Sequence, residues 1–552
     1  MVNVVVVAGG KQTRFKNLSV FPKVLLPTAS SCSILKELID RTRECKTQLK
    51  RWIVVNIQQA AMLRTYVKVN GLSDAIEVVE SENTNGSFNT LREVKHLLPT
   101  DNVLFIWSDL AVSDFTGIIR KCEACKEDIS GIIFTNSGHY RYGASGYSLD
   151  DPRTRLVDNI YYSSSYEGNI PGLYYLKDLS IFDRVHFSEG EVKDLVDAIS
   201  LEDLRLELCD LKDIGVDLFE YRDLGIYKKR IKDDFKEDRH QTRFFNSLSV
   251  NENGKTITKR VVDKNYAHLI KKEIEWYSQY RRFTSENKNL NAVPTVYSSG
   301  DDFFVMDYLV GYKPLHEILD QLESQSDLLR IKAVYKNIFS TIDQVSGASS
   351  ITVPFDTFIE DLKKEVVDKV IDRCERIKEF LLNYDKDYLE SILSRVYHEL
   401  ILFSKHSADF NDDLSTMKYW FCHGDLNGSN VMVDEKSLEV KFIDPRGYFG
   451  NTKMYGWKPY EIAKILYCLY GYDDFNTKPQ IYLEDWPKPR MSLEFSGFCD
   501  MVLGSETNYK YYQLLVGVIY VALAGYISQD IMKSNIAYDY GMRLLEWTLE
   551  RC

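Results

Sequence analysis

The 552-residue sequence has no basic excess, no regular cysteine pairing and no apolar run of membrane-spanning length. Lys and Arg number 69 against 81 Asp and Glu, for a net charge of −12. A general binder of nucleic acid or anionic membrane needs a basic surface, so neither partner is expected. A local basic pocket for phosphate remains compatible with that balance. The 10 cysteines are scattered, and only Cys122 and Cys125 form a CxxC. Zinc would want a second pair or histidines at ligand spacing. Unpaired cysteines suit a reducing cytoplasm. No basic region precedes the first apolar run, Val2 to Ala8, so it does not read as a signal peptide. The most apolar late stretch, Leu514 to Ile527, is about 14 residues long. That is short of the ~20 that span a bilayer, and a buried helix is the expectation. Internal repeats and low-complexity tracts are absent as well.

What is there divides into two parts. Residues 1–232 alternate short β-branched runs (Val2–Ala8, Trp52–Ile57, Ile76–Val79, Val103–Trp107) with helical segments (Ile34–Glu44, Gln59–Asn70, Ser87–Leu97). Gly131–Thr135 and Pro171–Leu176 read as further strands. Alternation of this kind predicts an α/β domain with a doubly wound, mostly parallel sheet. Residues 233–242 are a charged linker. Residues 243–552 read as an α+β bilobal domain. Its first lobe, about 243–310, has strands in Phe244–Val262 around an Asn253-Gly254 turn, a helix over Tyr266–Arg281, and strands at Thr295–Ser298 and Phe303–Met306. Its second lobe, about 311–552, is expected to be mostly helical apart from 421–444.

At the N-terminus a strand runs into Ala8-Gly9-Gly10-Lys11-Gln12-Thr13-Arg14. Glycines at a strand end let backbone amides approach phosphates closely. Arg14 is placed to clamp a triphosphate, and Lys23 to neutralise charge that builds on an α-phosphate under attack. Near the other end stands His423-Gly424-Asp425-Leu426-Asn427-Gly428-Ser429-Asn430, followed by Ile443-Asp444-Pro445-Arg446-Gly447. This spacing suits phosphoryl transfer. Asp425 accepts a hydroxyl proton, while Asn430 and Asp444 hold Mg²⁺ against ATP phosphates. His423 is read as a buried residue that orders the loop by hydrogen bonding rather than as a catalytic one.

The N-terminal motif resembles the signature of the sugar-phosphate nucleotidyltransferases. The resemblance extends to Asn85-Gly86-Ser87, as the base- and ribose-binding turn that opens a helix. It also covers Asp109 after the strand Phe105–Trp107 and Asp223 in Tyr221–Gly225, as two aspartates on one Mg²⁺. Gln12 stands where that family carries a second glycine. Val157-Asp158-Asn159-Ile160 lacks the family's sugar-phosphate lysine, which implies a smaller acceptor such as phosphocholine or another alcohol phosphate. The C-terminal motif resembles aminoglycoside phosphotransferases and choline kinases. That resemblance implies a phosphate-binding Lys259 paired with Glu273 (Glu275 as the alternative) and a hinge at Met306-Asp307-Tyr308-Leu309 that meets adenine through backbone groups. It also implies that Ser247–Gly254 serves as the loop over the phosphates, and that the helix at Tyr460–Lys464 supports the metal loop. Six tyrosines, Tyr467, Tyr470, Tyr472, Tyr509, Tyr511 and Tyr512, could form a cage around a quaternary ammonium by cation–π attraction, but in a chain of 36 tyrosines ordinary core and surface is the preferred reading.

Together the two resemblances imply a bifunctional, cytoplasmic enzyme of surface-polysaccharide precursor synthesis. One activity phosphorylates a small alcohol or sugar with ATP. The other couples that phosphate to a second NTP, with CTP favoured, and releases pyrophosphate. Choline kinase with phosphocholine cytidylyltransferase is the first specific expectation, although Pro445-Arg446-Gly447 departs from the choline-kinase pattern. A sugar kinase with a sugar-nucleotide pyrophosphorylase is the second. A live kinase regulated by a non-catalytic, nucleotide-sensing N-terminal domain is a third, and an antibiotic-modifying phosphotransferase ranks last. Self-association stays open.

Overall fold

The computed structural model describes residues 2–9, 18, 20–30, 32–45, 47, 49–83, 86–99, 101–136, 172–186, 195, 206–221, 224–234, 246–252, 254–262, 264, 267–285, 291–490 and 509–551. The chain divides into two compact units, Met1–Lys236 with Ile527–Met532, and Glu237–Tyr526 with Lys533–Cys552.

Unit 1 is built on β1 (Asn3–Ala8), α1 (Ile34–Arg43), β2 (Lys50–Asn56), α2 (Ile57–Val69), β3 (Glu77–Ser81), α3 (Ser87–Val94) and β4 (Asp101–Trp107). These continue into β5 (Leu110–Val112), α4 (Phe115–Glu123), β6 (Gly131–Thr135), β7 (Leu173–Asp178), β8 (Leu206–Asp210), β9 (Leu218–Glu220) and α5 (Leu224–Asp234). The main sheet runs β3-β2-β1-β4-β7-β6-β8. β1 is buried at all six positions, which is why its four consecutive valines are tolerated: a central parallel strand packs on both faces. β3, β2, β1 and β4 are mutually parallel, and β6 is parallel to β8. The expected mostly parallel sheet is interrupted by β7, which is antiparallel to both β4 and β6. Strand direction is not written in a short buried run, so this reversal had no local signal.

The Cys122-x-x-Cys125 pair ends α4, with Cys122 buried and Cys125 half-buried. Among the described residues no group of three or more His, Cys, Asp or Glu is gathered for a metal.

Unit 2 opens with an antiparallel sheet of β10 (Asn246–Val250), β11 (Thr256–Val261), β12 (Val296–Ser299) and β13 (Phe303–Asp307), in the order β10-β11-β13-β12. Helix α6 (Ala267–Thr284) lies between β11 and β12 in sequence. After β14 (Tyr312–Pro314) come α7 (Leu315–Ser324), α8 (Leu328–Gly347), β15 (Ser350–Pro354), α9 (Phe355–Lys363), a π-helical turn at Lys364–Asp368, α10 (Lys369–Glu375) and α11 (Lys386–Lys405). The candidate loop is framed by β16 (Phe410–Asn411), β17 (Thr416–Phe421), β18 (Val431–Asp434), β19 (Val440–Phe442), β20 (Tyr448–Phe449), β21 (Thr452–Lys453) and β22 (Tyr455–Gly456). The helices α12 (Lys458–Leu469), α13 (Tyr472–Thr477), α14 (Tyr509–Ala524) and α15 (Ile531–Leu549) follow.

The region after Leu315 is mostly helical, as expected, and adds a few short strands outside 421–444. β15, β17 and β16 form a sheet with β22 on the edge of β17, and β14, β18 and β19 form another. β15 and β17 pair across some sixty residues of intervening helix, and such short, non-local strands leave little trace in local periodicity. Helix α14 is apolar all round and buried from Tyr512 to Ala524, as a core helix must be. No described helix is long and apolar enough to cross a membrane.

α14 and α15 approach closely at two glycines. A Cβ on Gly541 would lie 2.7 Å from the Val521 nitrogen and 2.9 Å from the Gly517 oxygen. Gly541→Leu is expected to destabilise unit 2 by about 3 kcal/mol through overpacking. Gly347→Ala, at a position with no atom within 4 Å of the new Cβ, is expected to be neutral or slightly stabilising. Thermal and urea unfolding of the two variants check the pair.

Candidate active sites

In unit 1 the candidate residues gather at the carboxyl edge of the sheet. β1 and β4 are adjacent and parallel, with Val7 level with Trp107. Gly9 and Asp109 therefore emerge side by side, where the order 3-2-1-4 reverses direction from β1, and where open α/β sheets bind ligands. Lys23 Nζ lies 3.0 Å from Asp109 Oδ2, and each side chain is about 15% exposed. The Tyr221 amide donates to the Asp109 carbonyl at 2.7 Å, which brings the chain just before Arg222 to this edge. Ala8 is buried at the end of β1. A Cβ on Gly9 would come within 2.7 Å of Thr90 Cγ2, so only glycine allows β1 to run this close to α3. Gly86 begins α3 at φ +90°, a conformation that favours glycine. Ser87 Oγ accepts from the Leu195 amide at 2.9 Å.

One unforeseen residue shapes this edge. Glu93 on α3 accepts from Ser81 Oγ (2.8 Å) and from the amides of Glu82 (2.9 Å) and Asn83 (2.8 Å), and so fixes the turn that leads into α3. Gly10, Gln12, Arg14, Asn85 and Asp223 lie outside the described residues, as do Val157–Ile160 and Asn253.

In unit 2, Lys259 on β11 and Glu273 on α6 are both buried. Lys259 Nζ donates to Glu273 Oε1 (3.0 Å) and Oε2 (2.9 Å), and to Asp444 Oδ1 (2.8 Å). Burial alone would lower the Lys259 pKa, but Asp444 and Glu273 outweigh it and the net shift is upward. The ammonium is thus held charged. Glu275, the alternative partner, is absent from this contact.

Asp444 follows β19 at φ +58°, a left-handed conformation that is strained for a residue with a Cβ. Bonds on either side impose it. The Ile443 amide donates to the Asn430 carbonyl (3.0 Å), and the Arg446 and Gly447 amides both donate to the His423 carbonyl (2.8 Å each).

The loop carrying Asp425 is built around His423, which is 1% exposed. Its Nε2 lies 2.8 Å from the Ile443 carbonyl, so that nitrogen carries the proton, and Nδ1 accepts from the Asp425 amide at 3.3 Å. Burial pulls the ring down to about 4, so it is neutral at neutral pH. Glu461 on α12 accepts the amides of His423 (3.2 Å) and Gly424 (2.8 Å). Burial pushes Glu461 up to about 7 against those two bonds. Trp276 of α6 donates Nε1 to the Cys422 carbonyl at 2.7 Å and stacks on Phe421. Asn430 donates Nδ2 to the Asp425 carbonyl at 2.8 Å. Lys464 Nζ lies 3.2 Å from Asp425 Oδ1.

Asn430 and Asp444 each carry a hard oxygen donor, and the Ile443 amide bond to the Asn430 carbonyl ties their two backbone segments together. This donor set fits Mg²⁺, which takes few protein ligands and fills its octahedron with water and substrate phosphates. At the hinge, Met306 is paired on both sides within the sheet, to Ile257 and Val296. Its backbone is committed there, and Tyr308, 42% exposed, begins the free connection. The Tyr308 amide itself donates to the Lys255 carbonyl at 2.8 Å.

The six tyrosines pack in pairs, as ordinary core and surface residues do, rather than as a cage. Tyr511 and Tyr512 pack on Phe403, Tyr467 stacks on Tyr472, and Tyr470 pairs its hydroxyl with Tyr509. Aromatic faces were too plentiful to be read from spacing, with 36 tyrosines in the chain. Glu461 and Lys464 were readable in principle: three residues apart, they share one helix face.

No family model and no curated protein matches the chain. Among solved structures, it is similar to an inositol-1-phosphate CTP transferase from T. maritima, at 14% identity and a TM-score of 0.32, over 43% of this chain and 98% of that one. It is also similar to a putative glucose-1-phosphate thymidylyltransferase from Bacillus anthracis, at 14% identity and a TM-score of 0.33, over 44% and 98%. A UDP-glucose pyrophosphorylase complexed with UDP-glucose aligns at 11% identity and a TM-score of 0.32, over 42% and 98%. These are similarities and assign the chain no activity.

The His423 pKa lies below its unfolded value, so the folded state resists protonation and stability falls as pH drops from about 6.5 towards 4. At pH 5 this group is expected to remove about 2 kcal/mol relative to pH 7. Glu461 works in the opposite sense: its raised pKa stabilises the protonated form, a contribution lost as pH rises through about 7. Urea midpoints of the wild type and His423→Gln across pH 4–7 separate the two. The variant should be less stable at pH 7 and should lack the His423 part of the slope.

Proposed function

We propose that unit 2 is an ATP-dependent phosphotransferase for a small alcohol or sugar and that unit 1 is a nucleotidyltransferase for a phosphomonoester. The observation that carries the first half is the buried Lys259 ammonium, held by Glu273 and Asp444 from a separate loop. In this reading Lys259 binds the ATP phosphates, and Glu273 keeps its side chain extended into the site. Mg²⁺, when bound at Asn430 and Asp444, supplies neutralisation of phosphate charge. Asp425 accepts the acceptor's hydroxyl proton as that oxygen bonds to the γ-phosphorus, the bond to the β–γ bridging oxygen breaks, and ADP leaves.

The second half is supported by the Lys23–Asp109 pair and the Gly9 turn at the carboxyl edge of β1 and β4. A phosphate oxygen of the monoester attacks the α-phosphorus of an NTP, and pyrophosphate leaves. Lys23 offsets the charge that builds on the α-phosphate. Asp109, with Asp223, is the metal-binding pair of this reading, and Arg14 the triphosphate clamp. CTP is the first nucleotide to test. The two reactions join chemically, since the phosphomonoester that one makes is the nucleophile that the other consumes.

Two variants test the division of labour. Asp425→Asn is expected to lower ADP formation by about 10³-fold and to leave pyrophosphate release from added phosphomonoester intact. Lys23→Ala is expected to do the reverse, by about 10²-fold or more. ADP and pyrophosphate are followed separately, and products are identified by mass. Loss of both activities in both variants, or neither activity in the wild type, refutes the two-headed reading.

A further inference from the structure

The turn that ends at Asn430 is held by groups that the phosphotransfer chemistry above does not use. The Asn430 amide closes it, donating to the Asn427 carbonyl at 2.9 Å, and the Ser429 hydroxyl donates to Asn427 Oδ1 at 2.6 Å. The Leu315 amide donates to the Gly428 carbonyl at 3.0 Å and ties the turn to the start of α7. Helix α12 follows the loop along its length. Glu461 takes the amides of His423 and Gly424, Lys464 touches Asp425, and the Cys468 sulfur faces the Gly428 backbone. Steps of three and four keep those residues on one helix face.

Asp473, in the first turn of α13, stands against the far end of the loop. A Cβ on Gly428 would lie 2.3 Å from Asp473 Oδ2 and 2.8 Å from both its Cγ and its Oδ1. Gly428 is not among the glycines with positive φ. Backbone conformation therefore does not demand a glycine there; the carboxylate does. Nor has the carboxylate room to retreat, for a Cβ on Gly471 would lie 2.4 Å from the Lys488 carbonyl oxygen.

Ion pairing does not explain this placement. Asp473 is 4% exposed, and among the described residues no cation is ion-paired with it. Arg490 pairs instead with Asp320 (2.7 Å) and Glu323 (3.3 Å). Burial raises the Asp473 pKa, and the opposing pull of His316 and Arg490 does not offset it. A carboxylate buried on such terms lowers stability. What it does supply is a fixed surface for Gly428, two residues before Asn430.

We propose that Asp473 is a positioning residue for the metal-binding segment: its carboxylate is the surface on which Gly428 seats, and that seat fixes the place of Asn430. The inference rests on the phosphotransfer reading of unit 2 and adds to it a residue that touches neither metal nor substrate. The loop is then held at both ends, by Glu461 at His423–Gly424 and by Asp473 at Gly428.

Metal affinity, rather than activity alone, supplies the test. Two quantities are measured on the full chain. One is the Mg²⁺ concentration that half-saturates ADP release at fixed ATP. The other is Mn²⁺ affinity with ADP present, read by electron paramagnetic resonance, with Asp444→Asn marking the signal that belongs to unit 2. Gly428→Ala is expected to weaken both by about 10-fold or more. Gly428→Ala combined with Asp473→Ala should recover most of that loss, because the new methyl group then has room. Asp473→Asn keeps the shape and should stay close to the wild type. Wild-type Mn²⁺ affinity in Gly428→Ala overturns the inference, and so does a double variant no better than Gly428→Ala. If Gly428→Ala does not fold, Asp473→Ala decides. Weaker Mn²⁺ binding supports the positioning role. Unchanged binding with a lower Tm makes Asp473 a structural strut and overturns it. No ADP from any acceptor in the wild type, with no Mn²⁺ signal lost in Asp444→Asn, removes the phosphotransfer reading itself.

Discussion

The candidate centre of unit 2 depends on one buried positive charge. Lys259 is 5% exposed, and an ammonium group so far from water persists only with close carboxylates. Those come from α6 and from the segment after β19, so a single charge joins three pieces of chain that are distant in sequence. Removing the Lys259 ammonium leaves the buried Glu273 carboxylate without its cation, at a cost on the order of 3–5 kcal/mol. The arrangement of β10 to β13 around α6 follows from this need. β11 supplies a rigid origin for the lysine, and α6 supplies a long face, stacked through Trp276 on Phe421, that sets the depth of Glu273.

The loop with Asp425 and Asn430 obeys a different constraint. It is irregular backbone at a buried place, and buried amides and carbonyls must find partners. Glu461 takes two amides, Trp276 serves one carbonyl, and His423 serves another while receiving the Asp425 amide. His423 therefore works as a neutral ring with one donor and one acceptor, and its low pKa is a by-product of that scaffolding. The positive φ of Asp444 belongs to the same network, since its neighbours on both sides are tied to the loop.

What could be read from sequence was local. The 14 residues between Lys259 and Glu273 span one strand end and one helix, and the spacing of Asp425, Asn430 and Asp444 spans one hairpin. What escaped was non-local. Asp361 and Glu365 hold the segment after Asp444 from about 80 positions upstream, with no motif to announce them. The β15–β17 pairing and the reversed direction of β7 escaped for the same reason, because pairing partners and strand sense are set by tertiary packing. Glu93 was hidden differently, as an ordinary helix glutamate whose role appears only when the turn at Ser81–Asn83 folds back onto it.

The spacing of Glu461 and Lys464 on α12 has a mechanical consequence. One residue grips the backbone of the loop and the other touches the carboxylate at its tip, and both lie on the same side of one rigid rod. A turn or slide of that rod moves the grip and the tip contact together. The geometry of the loop and the electrostatic setting of Asp425 are therefore coupled, and a displacement of α12 changes both at once.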